Sequence, residues 1–182
     1  SAFANNGTFI SDPATVSFHD KVSVSETGVM QGAAGDAYEF YQDFLINSTA
    51  SLWATKDVDL AFLGGKSHTF SFLSSDKGGM WDALTLGESD SLDVSGIGGA
   101  LTIYGLISGL KVDGPVITNI TGAEGTTIYY LASANEGLRG LTYSLSNGGT
   151  LTPSAVPIPG TLLMLGSGLV GLLGVRRRYA AR

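Results

Sequence analysis

Thr15-Val16-Ser17-Phe18-His19-Asp20-Lys21-Val22-Ser23-Val24 decides the fold class. Val16, Phe18, Val22 and Val24 fall on one side of an extended chain, and Ser17, His19, Lys21 and Ser23 fall on the other. Alternation of period two marks a strand with one face buried and one in water. Asp20 interrupts the apolar side, which predicts a bulge or a sheet edge at that point.

The same pattern recurs along the chain. Residues 38–46 read as a strand ending in the turn Asn47-Ser48-Thr49. Val58, Leu60 and Phe62 alternate with Asp57, Asp59 and Ala61, and Gly64-Gly65 then supplies a tight turn into residues 67–73, which predicts a hairpin. Residues 101–112 form an apolar run broken by Gly105 and Gly109, followed by a turn at Asp113-Gly114-Pro115. Residues 126–133 and 140–146 predict a second hairpin, with Leu141, Tyr143 and Leu145 facing inward. Before residue 153 no stretch longer than six residues carries helical periodicity, and no exact internal repeat is visible.

The fold expected is therefore all-β: an antiparallel β-sandwich or jelly-roll-like body followed by a single C-terminal hydrophobic helix. It divides into an extended N-terminal arm (1–14), the β body (15–152), a Pro-rich linker (153–160) and the hydrophobic helix with its basic end (161–182).

Charge is distributed unevenly. All 16 Asp and Glu lie ahead of residue 156, with six Lys and Arg, while the four remaining arginines lie beyond it. An acidic body argues against nucleic acid as a partner, because phosphate binding needs clustered Lys and Arg. The chain has no cysteine, which removes disulfides, thiolate metal sites and a Cys nucleophile from consideration. The opening Ser1-Ala2-Phe3-Ala4 contains the small-residue pattern of a signal-peptidase site, so a leader upstream of Ser1 is expected.

The tail has three parts in fixed order. Pro157 and Pro159 exclude a helix interior around them. Residues 161–175 carry no charge, and Arg176, Arg177 and Arg178 then arrive together. An apolar helix with a basic stop reads as a C-terminal membrane signal, the arginines staying on the cytoplasmic side. The 15 uncharged residues make about 22 Å of helix. That is short of the roughly 20 residues of a full span. Gly166, Ser167, Gly168, Gly171 and Gly174 make it rich in small residues, and Ser167 and Gly171 have the four-residue spacing that lets helices approach closely.

Val156-Pro157-Ile158-Pro159, Leu165-Gly166-Ser167-Gly168-Leu169 and the Arg176-Arg177-Arg178 cluster resemble, in order and spacing, the PEP-CTERM sorting signal of bacteria that secrete extracellular polymers. The common form of that signal has Glu between the prolines, where this chain has Ile158. The resemblance implies export across the inner membrane, transient membrane insertion and processing near the prolines by an exosortase. It covers about the last 27 residues. A looser resemblance lies in Tyr41-Gln42-Asp43-Phe44-Leu45-Ile46 and in residues 129–151, which are similar to stretches of some PEP-CTERM proteins with Ser/Thr-rich β bodies.

Candidate chemistry in the body is sparse. His19 lies on a polar strand face beside Lys21 and reads as exposed. His68 shares a face with Phe70 and Phe72 and reads as a core or rim histidine. No Gly-x-Ser-x-Gly elbow occurs outside the tail, so a Ser-His-Asp hydrolase is not favoured. Glu88, Asp90 and Asp93 crowd one loop after Gly87 and form a candidate calcium site, since loop carboxylates suit that ion. Asp and Ser also favour turns for reasons of their own. Trp53, Trp81, Tyr129 and Tyr130 could stack on sugars, but in alternating strands core filling is the preferred reading.

These readings converge on a secreted, non-catalytic structural protein of the bacterial surface or extracellular matrix. Its partners would be the processing enzyme, the membrane, and exopolysaccharide or copies of itself, with no cofactor required beyond the candidate calcium. Two alternatives stand beside it. One is a self-assembling filament subunit joined by donated strands, with residues 4–10 as the donor. The other is a carbohydrate-binding module.

Overall fold

The computed structural model describes residues 2–154. The sorting motif, the hydrophobic helix and the arginine stop lie outside these residues. The expected all-β class holds, but the antiparallel sandwich or jelly roll does not: the chain winds as a parallel β-solenoid of about seven turns.

Each turn visits three faces in order. The first face stacks Phe3–Asn5, Val22–Glu26, Phe44–Ser48, Ser67–Phe72, Ser91–Asp93, Val116–Thr121 and Tyr143–Ser146. The second holds Thr8–Ile10 against Val29–Gln31, a bridge from Gln31 to Ala54, and then Met80–Trp81, Ala100–Ile103, Thr127–Tyr130 and Thr150–Pro153. The third stacks Thr15–Phe18, Asp36–Phe40, Val58–Phe62, Leu84–Leu86 and Ile107–Ser108. Among the described residues every strand pairing is parallel except two.

Alternation misleads about topology for a physical reason. A parallel sheet sandwiched between helices is buried on both sides and reads as a continuous apolar run. A solenoid strand has core on one side and water on the other, so it alternates as an antiparallel strand does. The crossover that joins parallel neighbours is here the remainder of the turn. Its length varies: register partners Phe3 and Val22 are 19 residues apart, and Leu92 and Ile120 are 28 apart. No fixed period survives that variation, which is why no repeat is visible in the sequence.

The expected hairpins become corners. Gly64-Gly65 links Val58–Phe62 to Ser67–Phe72, but the two strands lie on different faces and pair with other neighbours. Thr127–Tyr130 pairs in parallel with Ala100–Ile103 and Thr150–Pro153 and not with Tyr143–Ser146. Asp20 marks a corner between Thr15–Phe18 and Val22–Glu26, not a bulge in one strand, and Tyr41-Gln42-Asp43 is the same corner one turn on. Residues 3–10, assigned above to an extended arm, supply the first two strands of the first turn. Tyr143 and Leu145 are buried as expected, whereas Leu141 is 53% exposed.

The interior is a ladder of aromatic and aliphatic side chains. Phe18 stacks on Phe40 at 5.1 Å between ring centroids, Phe40 on Phe44 at 4.1 Å, and Phe44 on Phe70 at 5.3 Å. Trp81 meets Phe44 and Phe70 edge-on. Offset and edge-to-face packing of this kind adds about 1 kcal/mol per pair beyond burial.

The two ends differ. At one, Phe3–Asn5, Thr8–Ile10 and Thr15–Phe18 each have a strand neighbour on one side only. At the other, Tyr143–Ser146 and Thr150–Pro153 form an antiparallel pair that ties the first face to the second, so both strands are paired on both sides. The 3-10 segments Ala132–Ala134 and Glu136–Leu138 lie between these faces in the chain, and Asn135 sews them to the third face.

Candidate functional site

Turning a corner leaves backbone groups that no ladder satisfies, and a buried unpaired group costs about 1–3 kcal/mol. The solenoid meets this with buried polar side chains that bond across turns. The longest such string runs along the corner between the third and first faces. The His68 Nδ1 lies 3.2 Å from the Gln42 carbonyl oxygen, and its Nε2 lies 2.9 Å from Asp90 Oδ1. The Lys66 amide donates to the same Oδ1 at 2.8 Å. Asn119 Nδ2 donates to the Asp90 carbonyl at 3.4 Å and to the Gly109 carbonyl at 2.9 Å, while its Oδ1 accepts from the Lys111 amide. His68, Asp90 and Asn119 are all buried, and the string spans four successive turns.

The chemistry of that string is internal. The imidazole is held at both ring nitrogens, by the Gln42 carbonyl on one side and the Asp90 carboxylate on the other. Burial works to raise the Asp90 carboxyl, but the Lys66 amide, the His68 side chain and the Gly65 amide outweigh it and hold Asp90 below the usual carboxylate range. Asp36 plays the same part at another corner. It accepts from the Ala33 amide at 2.6 Å and the Ala14 amide at 2.9 Å. The Ala33 bond is the main cause of its lowered pKa; burial opposes it, and the Ala14 amide and Ser11 side chain add to it. Asn135 accepts from the Ile107 amide and donates to the Gly105 and Leu131 carbonyls.

The proposed calcium ligands are not brought together. Asp90 points inward onto His68, Asp93 is half-buried and caps its own turn by accepting from the Ser95 amide at 2.9 Å, and Glu88 is exposed. Among the described residues no group of three or more His, Asp and Glu side chains converges. His19 is exposed and packs its ring on Tyr41, and His68 is a core histidine, both as read from the sequence. Of the four aromatic residues weighed as a sugar platform, Trp81 and Tyr130 are fully buried, Trp53 is half-buried with its indole N–H unpartnered, and Tyr129 is 38% exposed.

Sequence reasoning missed the surface around the last turn. Leu106, Val112 and Leu141 stand exposed there. Two clefts, of about 360 and 500 Å³, both have Gly137 in their walls. The signal available in the sequence was the apolar run of residues 101–112, whose leucines exceed what one alternating face can bury.

No helix among the described residues is long and apolar enough to cross a membrane. Val156, Pro157, Ile158, Pro159, the helix positions Leu165, Gly166, Ser167, Gly168, Leu169 and Gly171, and Arg176 to Arg178 lie outside them. Comparison with family models, with curated proteins and with solved structures finds no match to this chain.

Proposed function

We propose that the chain is a secreted, non-catalytic structural protein of a bacterial surface or extracellular matrix, addressed by an exosortase-type signal in its last 27 residues. The observation that carries this reading is the tail itself: a proline pair, then 15 uncharged residues, then three arginines. The fold supports it, since a parallel β-solenoid suits a structural, repeat-like role. Its buried polar groups serve its own backbone. A cell expressing the chain without residues 156–182 should fail to deliver and retain the product at its exterior. Unchanged delivery and retention would overturn the reading. The intact mass of protein recovered outside the cell reports whether processing removes the tail. Exopolysaccharide is the matrix partner we propose, and binding on a glycan array tests it.

A second reading is favoured by one specific observation. The three strands of the first turn each present an unpaired edge, and open edges invite strand addition. In a filament, residues 4–10 would not be the free donor, because they are paired within their own chain as Phe3–Asn5 and Thr8–Ile10. The open edge would be the receiver. Electron microscopy of native material decides: fibres with an axial repeat favour assembly, and isolated short rods exclude it.

A further inference from the structure

The outer side of the second face sets two tyrosine rings among threonine hydroxyls. Leu101, Ile103, Ile128, Tyr130 and Leu151 are buried beneath it, and the positions between them turn outward and stack in register. One row runs Met80, Thr102, Tyr129, Thr152, and the next runs Ala100, Thr127, Thr150. The pairing continues one residue past the strands: the Tyr104 amide donates to the Trp81 carbonyl at 3.0 Å, and the Leu131 amide to the Ile103 carbonyl at 3.2 Å. A third row is therefore Asp82, Tyr104, Leu131. Tyr104 is 37% exposed and Tyr129 38%. Among the described residues no other Phe, Tyr or Trp is exposed. Both rings thus stand on one face, one turn and two residues apart, or about 8 Å from the spacings of a sheet.

We infer that this face binds a neutral polysaccharide chain, with Tyr104 and Tyr129 as its stacking rings. The inference rests on the exopolysaccharide partner proposed above and gives that partner a place and a charge class. A pyranose has an apolar face of C–H bonds and a rim of hydroxyls, so it can lie on a tyrosine ring while threonine hydroxyls bond its edge. The Tyr104 ring is already held: Lys56 Nζ lies 4.9 Å from its centroid, and its hydroxyl donates to Met80 Sδ at 3.8 Å. A ring fixed before binding loses less freedom on binding. Beside the face opens a cleft of about 370 Å³, lined by Ala100, Thr127 and Tyr129 and, from the corners before these strands, by Ser95, Ile97 and Glu124. The Glu124 carboxylate can accept from a sugar hydroxyl. Charge selects the polymer. Asp82 is the one ionisable carboxylate or amine in the three rows, Glu124 borders them, and the residues ahead of 156 hold 16 Asp and Glu against six Lys and Arg. A polyanion would be repelled, whereas a neutral chain would not.

Native affinity electrophoresis of the full chain tests this, in gels cast with hydroxyethyl cellulose, galactomannan or dextran as neutral polymers and alginate as the polyanion. At least one neutral polymer should retard the parent, and alginate should not. Tyr104→Ala with Tyr129→Ala should weaken that retardation at least tenfold, and so should Thr127→Glu, which puts a charge on the same face. Tyr129→Phe keeps the ring and should stay within twofold of the parent. Tyr41→Ala, at a different corner, should also stay within twofold. Thermal melts of the outward-facing variants should match the parent, and the Phe variant reads the ring's role even if an Ala variant melts early. Retardation by alginate alone, or by no neutral polymer, would overturn the proposal; with no polymer of either kind bound, the exopolysaccharide partner falls with it. Retardation that neither the tyrosine pair nor Thr127→Glu alters would overturn this face and leave that partner standing. Surface delivery of a tail-less chain tests the sorting signal separately.

Discussion

His68 Nε2 lies 2.9 Å from Asp90 Oδ1, with both side chains buried and their positions 22 apart in the chain. The contact joins two successive turns, because Ser67–Phe72 and Ser91–Asp93 are parallel neighbours on the first face. Asp90 also holds the Lys66 amide, so one carboxylate closes a corner and fixes a histidine. Removing either partner leaves a buried polar group without its match. We expect His68→Ala and Asp90→Ala each to lower stability by about 3 kcal/mol, read as a shift in the urea midpoint. The double variant should lose less than the sum, because the two share one contact.

Acid should loosen the solenoid in a defined window. Asp90 and Asp36 both have folded-state pKa values below the ordinary carboxylate range. A carboxyl whose pKa is depressed by folding contributes stability that is fully present above its unfolded pKa of about 3.9. That contribution is lost as pH falls through the folded value. The melting midpoint should thus fall on acidification below about pH 4, and Asp36→Asn should show a shallower fall than the parent chain. A parent midpoint that does not drop would contradict the assignment.

The aromatic ladder makes a prediction about the core. Phe44 is fully buried, stacks on Phe40 and Phe70 and meets Trp81 edge-on. Phe44→Ala should cost about 3–5 kcal/mol, whereas Phe44→Leu should retain part of that by filling more of the space. Hydrogen exchange should show the loss concentrated in the neighbouring strands Val22–Glu26 and Ser67–Phe72, since a solenoid turn contacts mainly its neighbours.

Gly109 tests the corner geometry. Its φ is +76°, and a Cβ there would meet the Leu86 carbonyl oxygen of the preceding turn. Its own carbonyl accepts from Asn119. Gly109→Ala should lower stability by more than about 1 kcal/mol, while Gly137→Ala, where a Cβ meets nothing within 4 Å, should be close to neutral. Thermal melts of the two variants check this directly.

Much of the local structure is legible in the residues, and little of the topology is. Val22 and Val24, then Val58, Leu60 and Phe62, and His68 with Phe70 and Phe72 all turn inward as their alternation requires. Alternation reports which side is wet, and a solenoid strand and a sandwich strand are wet on one side alike. The corner at Asp20 looked like a defect in a long strand because three residues, His19 to Lys21, separate two strands on different faces. Asp90 looked like a loop ligand beside Glu88 and Asp93, because the partner that decides its role is His68, one turn back. Distances along the chain of 22 or more residues carry that information, and only the winding reveals it.

The paired hairpin at one end and the bare edges at the other give the rod a direction under load. If the tail is held in a bilayer and the matrix pulls on the first turn, tension runs along the winding axis and strands peel away in sequence. Each turn set free yields 19 to 28 residues of slack, roughly 65–100 Å at about 3.5 Å per residue. A chain built this way extends in steps, and absorbs a stretch turn by turn without giving up its whole core at once.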